Sequence, residues 1–356
     1  MILHPEIDSA SLQRIAGTVG AGQPWPAYQT AVRMLDQIPP NAAPDHLRAR
    51  VAVLGSFTLD PFLSVLRVEA ARQGLWLETY LAPYGQYVSE LLDPASGLYR
   101  FQPHATFLAI DSDVLWHQRW AETPSVRSEL VVSGLLSPLF AGLDAFDMIG
   151  SGIMVVNDFA LPRPSSEGVN AFRTKDTYAH TVAHANKHLR LRLGLRGNGY
   201  LFPLSDLVAQ VGRLRAFNWR THYRGHVTWS DALMSAVAER YVGFVLAALG
   251  RATKCIVLDL DNTLWGGVLG EDGATGIALG PQSPGSEFVD FQRELLDFQQ
   301  QGILLAVCSK NNEHEALAVL RTHPSMLIRE AHLAAYRISW EDKATNIRAL
   351  ARELNI

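Results

Sequence analysis

From residue 51 onward the chain switches repeatedly between two spacings of apolar positions. Short apolar runs stand at "VAVLG" (51–55), "LWLETYLAP" (75–83), "ATFLAID" (105–111), "GIMVVND" (152–158) and "GYLFPL" (199–204). Runs without polar alternation suit strands covered on both faces. Helical segments separate them. One opens at Asp60-Pro61, read as an acidic N-cap followed by Pro at the first helical position; another is "YGQYVSELL". Strand, helix, strand repeated five times predicts a parallel sheet with helices on both faces. Residues 1–50 read as helical and irregular, interrupted by "GQPWP" and "IPPNAAPDH".

A helix over 230–249 has Ser230 as N-cap, Leu233, Val237, Tyr241, Phe244 and Ala248 on one stripe, and Gly250 as its stop. "RATKC" then leads into a new strand, which places a domain boundary near 250. Beyond it the spacing predicts a strand over 255–260 and a helix over 286–301 facing inward with Phe288, Phe291, Leu295 and Phe298. A strand over 303–308 and helices over 312–321 and 340–354 follow, the last opened by Ser339 and Asp342 as a capping box. The expected organisation is a helical segment (1–50) followed by two tandem α/β domains, 51–250 and 251–356.

Composition narrows the function classes. Hydrophobic residues make up 48%, enough for two cores, and the net charge of −4 gives no footprint for nucleic acid. The opening "MILHPEIDSA" lacks a basic region followed by an apolar core, so no secretory leader is expected. The apolar stretch "YVGFVLAALG" is too short to span a bilayer. Cys255 and Cys308 are the only cysteines, which excludes a disulfide framework and points to a cytoplasmic protein with reduced thiols.

The candidate chemistry begins at "KCIVLDLDNTLWGGVLGEDG" (254–273), where an apolar strand runs straight into Asp259 and Asp261. Ligands of open α/β sheets bind beyond the carboxyl ends of the strands. Ser309 ends the next strand in "GILLAVCSKNN", and Lys343 opens the final helix in "SWEDKATNI". Two acids, a hydroxyl and an ammonium converging on one point suit a phosphoryl group: one carboxylate attacks or holds a divalent cation, the other protonates the leaving oxygen.

Asp259, Asp261 and Thr263 as DxDxT, with Ser309 and Lys343 after them, resemble motifs I to III of the haloacid dehalogenase (HAD) phosphatase superfamily. "LDLDNTLWGGVLGEDG", "GPQSPGSEFVDFQRELLDFQQQGILLAVCSKNNE" and "SWEDKATNIRALARELNI" further resemble its FkbH-like subfamily of polyketide pathways. The resemblance implies a HAD-like fold over 251–356 and Mg²⁺ as cofactor. It implies 1,3-bisphosphoglycerate as substrate and a phosphopantetheinylated acyl carrier protein as the acceptor of a glyceryl thioester. Asp259 becomes the nucleophile and a Mg²⁺ ligand; Asp261 becomes the general acid/base and lends its main-chain carbonyl to the metal. Ser309 and Lys343 bind the phosphoryl group, Asn262 and Thr263 shape the loop around it, and Trp265, Gly266 and Gly267 form a flap. The superfamily's fourth motif, a carboxylate pair after a further strand, does not occur before Ile356, and the expectation is that the sequence is the front part of a longer one. Acyl transfer needs a thiol, and Cys308 beside Ser309 is the candidate, ahead of Cys255. Strand alternation argues that Cys308 faces away from Ser309 unless the strand bends. The competing readings are a HAD phosphatase acting on another small phosphoester without acyl transfer, and a non-catalytic carrier-binding scaffold.

In the domain 51–250, "VLGSFTLDP" places Ser56 at the end of a strand and before a helix. That resembles the nucleophile of SGNH-type hydrolases, on a flavodoxin-like sheet, with His226 in the position of the catalytic His. The supporting residues differ: Tyr223 stands where an Asp is expected, and "AIDSDVL" offers Asp111, Ser112 and Asp113 where an oxyanion-hole Asn is expected. The domain is therefore expected to be degenerate, serving to dock a carrier protein or support the second domain. His180, His184 and His188 share one helical face, but the basic run 187–196 around them reads as a solvated or carrier-facing surface rather than a metal site.

Overall fold

The apolar runs form two separate parallel sheets. A computed structural model describes residues 7–39, 42–115, 128–162, 168–170, 173 and 177–356, with the backbone alone for 128–131 and 170. Residues 1–6, and Pro40 and Asn41 of the second breaker, lie outside the described residues. The chain divides into two units, Met1–Arg251 and Ala252–Ile356.

In the first unit β1 (Arg48–Gly55), β2 (Trp76–Leu81), β3 (Ala105–Ala109), β4 (Ile153–Asn157) and β5 (Gly199–Phe202) pair in the order β2-β1-β3-β4-β5, all parallel. Two-residue alternation divides each strand between two cores. Ala49, Val51, Val53 and Phe107 enter one, under helices Asp60–Arg72 and Asp231–Ala248. Ala52, Leu54 and Leu108 enter the other, under Tyr87–Leu92, Ser128–Ile149 and Tyr178–Leu193. In the first core Tyr241 stacks on Phe107 with centroids 3.8 Å apart and donates its hydroxyl hydrogen to Asn157 Oδ1. The N-terminal helices Ser9–Gly17 and Trp25–Asp36 pack on Asp60–Arg72 and add Leu12, Tyr28 and Leu35 to this core.

Ser230 Oγ accepts from Leu233 N–H at 3.2 Å, and Gly250 takes a positive φ of 70° just past the helix end. Asp60 is the first helical residue rather than the cap, which is Leu59. The most apolar helix is Ser128–Ile149. Its stretch Val132–Ile149 is long and apolar enough to cross a membrane by length and composition, and it lays Leu136, Leu139, Leu143 and Phe146 into the second core.

In the second unit β6 (Cys255–Leu258), β7 (Leu304–Ser309) and β8 (Leu333–Ile338) form a parallel sheet in the order β6-β7-β8. Helices Leu269–Gly276, Gly285–Gln300, Glu313–Thr322 and Lys343–Glu353 accompany it. Three expectations are corrected. β8 has no counterpart in the sequence reading. Gly285–Gln300 turns Val289, Gln292 and Leu295 inward and leaves Phe291 and Phe298 exposed. The final helix begins at Lys343 with Asp342 as N-cap, its Oδ2 accepting from Thr345 N–H at 3.0 Å; Ser339 lies before the helix, accepting at 3.1 Å from Asn346 Nδ2.

Candidate functional site

Parallel pairing puts the carboxyl ends of β6, β7 and β8 on one edge. Leu258 pairs with Val307 and Ser309 with Ile338, so Asp259 emerges beside the end of β7, and the chain leaving β8 reaches Lys343 within five residues. Lys343 Nζ forms an ion pair with Asp259 Oδ2, Ser309 donates a hydrogen bond to the same carboxylate, and Leu260 N–H reaches Oδ1 at 2.9 Å. Burial alone pushes the Asp259 carboxyl up; the Lys343, Ser309 and Leu260 hydrogen bonds outweigh it and hold the carboxyl below its usual range. Asp259 is thus ionised at neutral pH, the state that the expected nucleophilic role requires.

Asp261 is held differently. Its Oδ1 accepts from the Trp265 indole N–H at 2.9 Å and from Leu269 N–H at 3.1 Å, and its Oδ2 accepts from Asn311 Nδ2 at 3.0 Å. The intervening turn is tight. Thr263 and Leu264 N–H both reach Leu260 O, and Asn262 takes a φ of 53° while its Oδ1 accepts from Gly267 N–H at 3.0 Å. An Asn adopts this left-handed conformation at less cost than most residues. Trp265, expected in a flap, is fully buried instead, and Gly266 exchanges both backbone hydrogen bonds with Ala278. The sequence reading missed Asn311, which is nearly fully buried two residues after Ser309. For the phosphoryl chemistry expected of these residues, Asn311→Ala is expected to lower kcat roughly 10- to 100-fold with KM changed less than twofold, since a hydrogen bond to a charged group is worth about 1.5–3 kcal/mol. Steady-state kinetics with a small phosphomonoester checks this.

Asp259, Ser309 and Lys343 are thus brought together, with Asp261 two residues on and held by Asn311, and Thr263 half-buried in the same turn. Cys308 is not among them. It faces the opposite side of β7, packed with Ala306, Ala335 and Leu350, its Sγ 3.9 Å from Lys343 O, and burial pushes its thiol pKa up. Cys255 lies half-buried at the start of β6, and burial raises its thiol likewise.

In the first unit Ser56 Oγ accepts from Asp111 N–H at 2.8 Å, joining the ends of β1 and β3. His226 lies just past helix Trp219–Gly225 at a φ of 54°. Its carbonyl accepts from Thr58 N–H at 3.0 Å, and its ring is exposed near Tyr84. The histidine that faces the acids is His222. Its Nε2 stands 3.4 Å from Asp113 Oδ2, and its Nδ1 stands 3.1 Å from Thr228 Oγ1. Thr228 Oγ1 donates to Asp111 Oδ2 at 2.8 Å. Burial, then the neighbouring Asp113 charge, push the Asp111 carboxyl up.

His184 and His188 bring their Nε2 atoms to 2.7 Å beside a cavity of about 360 Å³ lined by Val132, Leu136 and Phe140. In the basic run, Arg192 and Arg196 pair with Asp144, and Arg196 also with Asp147, on helix Ser128–Ile149. These two cations therefore tie the end of helix Tyr178–Leu193 and the turn after it to helix Ser128–Ile149.

No family model and no curated protein matches the sequence. Among solved structures, the chain is similar to the N-terminal part of the protein BF1531 from Bacteroides fragilis, described as containing a phosphatase domain and complexed with Mg. The TM-score is 0.77 at 24% identity, over 98% of this chain and 86% of that one. The acetylxylan esterase Axe2 from Geobacillus stearothermophilus aligns at a TM-score of 0.35 and 12% identity, over 57% of this chain and 94% of that one. At this identity the first likeness is one of fold: an α/β unit with the flavodoxin-like strand order β2-β1-β3-β4-β5 followed by a second parallel α/β unit.

Proposed function

We propose that the second unit cleaves phosphate monoesters through Asp259. The observation that carries this reading is the contact of Asp259 with Lys343 and Ser309 at the carboxyl edge of a parallel sheet, with Asp261 two residues on. The fold shared with a phosphatase domain supports it. An Asp259 oxygen attacks phosphorus as the ester P–O bond breaks, and Asp261 gives its proton to the leaving oxygen. Water then attacks the aspartyl phosphate and loses its proton to Asp261, freeing phosphate and Asp259. Lys343 and Ser309 hold the phosphoryl oxygens throughout.

The oxygen-only donors fit Mg²⁺, a hard cation. Asp259 would bind through its carboxylate and Asp261 through its main-chain carbonyl, because both Asp261 carboxylate oxygens accept from protein N–H groups. Bound there, Mg²⁺ supplies positive charge to the phosphoryl oxygens.

Within this reading we take 1,3-bisphosphoglycerate as substrate and a phosphopantetheinylated acyl carrier protein as glyceryl acceptor, in the cytoplasm. The support is the resemblance of the motif-bearing stretches to FkbH-like proteins. Intact mass spectrometry of the carrier, after incubation with the chain, Mg²⁺ and 1,3-bisphosphoglycerate, tests it. A glyceryl mass on the carrier is the expected result; phosphate release with an unchanged carrier leaves a phosphatase acting on small phosphoesters. The burial of Cys308 away from Ser309 argues against an acyl relay through its thiol. Cys308→Ala is accordingly expected to leave phosphate release within twofold of the parent, measured by phosphate assay.

A further inference from the structure

We propose that Asp111, Asp113 and His222 bind a single first-row divalent cation of the zinc type in the first unit. Among the described residues these three form the one group of His, Cys, Asp and Glu whose ligand atoms all lie within 4.8 Å of one another, and all three are buried.

The position is where this topology places ligands. The sheet order β2-β1-β3-β4-β5 reverses direction between β1 and β3, and the crevice at the carboxyl ends of such a pair is the usual binding place. Ser56 follows β1 and Asp111 follows β3, and the 2.8 Å hydrogen bond between them marks that crevice.

The geometry adds an independent argument. With His222 Nδ1 turned to the Thr228 hydroxyl, 3.1 Å away, Nε2 is the ring nitrogen that faces the acids, and it stands 3.4 Å from Asp113 Oδ2. Two ligands on a tetrahedral zinc, with bonds of about 2.0–2.1 Å, stand roughly 3.3–3.4 Å apart, so a small displacement of these side chains suffices to seat the cation.

The surroundings agree. A metal-binding His donates its other ring N–H to a fixed acceptor, here the Thr228 hydroxyl, which also orients Asp111. One imidazole nitrogen and two carboxylates suit Zn²⁺ better than Mg²⁺, and three protein ligands leave a fourth position open.

The test is calorimetric titration of the chelator-stripped chain with Zn²⁺ in excess Mg²⁺, on the parent and on Asp259→Asn, Asp113→Asn, His222→Gln and Thr228→Val. One Zn²⁺ per chain is expected in the parent and in Asp259→Asn. It should be lost in Asp113→Asn and His222→Gln, and weakened roughly 10- to 100-fold in Thr228→Val, which removes only the supporting hydroxyl. No uptake by the parent, or equal uptake by His222→Gln, overturns the proposal and leaves a His222–Asp113 ion pair. If the ligand variants fail to fold, Co²⁺ loading of the parent decides. Intense visible bands of tetrahedral cobalt support the site, and a weak octahedral spectrum or none overturns it.

Discussion

Asp259→Asn is expected to reduce phosphate release by roughly 10³-fold or more while leaving the fold intact. The amide cannot form the covalent phosphoryl bond, so the loss falls on kcat rather than on folding. The ion pair with Lys343 that disappears joins side chains 37% and 42% exposed. Solvent screens such a pair to within about 1 kcal/mol, and removing a half-buried charge offsets part of even that. Rapid-quench assays with a phosphomonoester, beside a thermal melt of the same sample, separate the two effects. An Asp259→Asn chain that folds and still turns over at a tenth of the parent rate would sink the nucleophile assignment.

Gln292→Leu carries the largest expected effect on stability. Gln292 is fully buried on helix Gly285–Gln300. Its Nε2 donates to Leu264 O at 2.7 Å, and its Oε1 accepts from Leu327 N–H at 2.8 Å and Ile328 N–H at 3.1 Å. Leucine fits the volume but strands one carbonyl and two N–H groups. At about 1–3 kcal/mol for each buried unsatisfied group, the second unit loses roughly 3–9 kcal/mol. Leu264 closes the turn that carries Asp261, so phosphate release should fall along with stability. Hydrogen exchange at Leu327 and Ile328 reports the change directly; protection equal to the parent's would show that other groups satisfy these amides.

The first sheet was legible because its strands are covered on both faces: Val51 and Val53 serve one core, Ala52 and Leu54 the other, and an unbroken apolar run results. β8 was not, because its residues, two alanines and an arginine among them, run irregularly through half-buried, exposed and buried positions. Asp259, Asp261, Ser309 and Lys343 could be read because strand ends have a fixed place in a parallel sheet. Trp265 and Asn311 carry no such marker; their role depends on how the loops after β6 and β7 turn toward Asp261. Cys308 followed plain strand alternation, with no bend to bring it round. Motif position singled out His226, yet His222 is the ring turned toward the acids, while His226 lies past the helix end in a left-handed conformation.

The Asp259–Lys343 contact spans 84 positions of sequence, and this separation has a temporal meaning during synthesis. At about 5–20 residues per second, roughly 4–17 s pass between the addition of the two residues. Throughout that interval the nascent strand β6 carries its carboxylate without the ammonium that later neutralises it. The emerging second unit is therefore more acidic at its growing edge than the finished one, and the Asp259–Lys343 ion pair is among the last contacts it acquires.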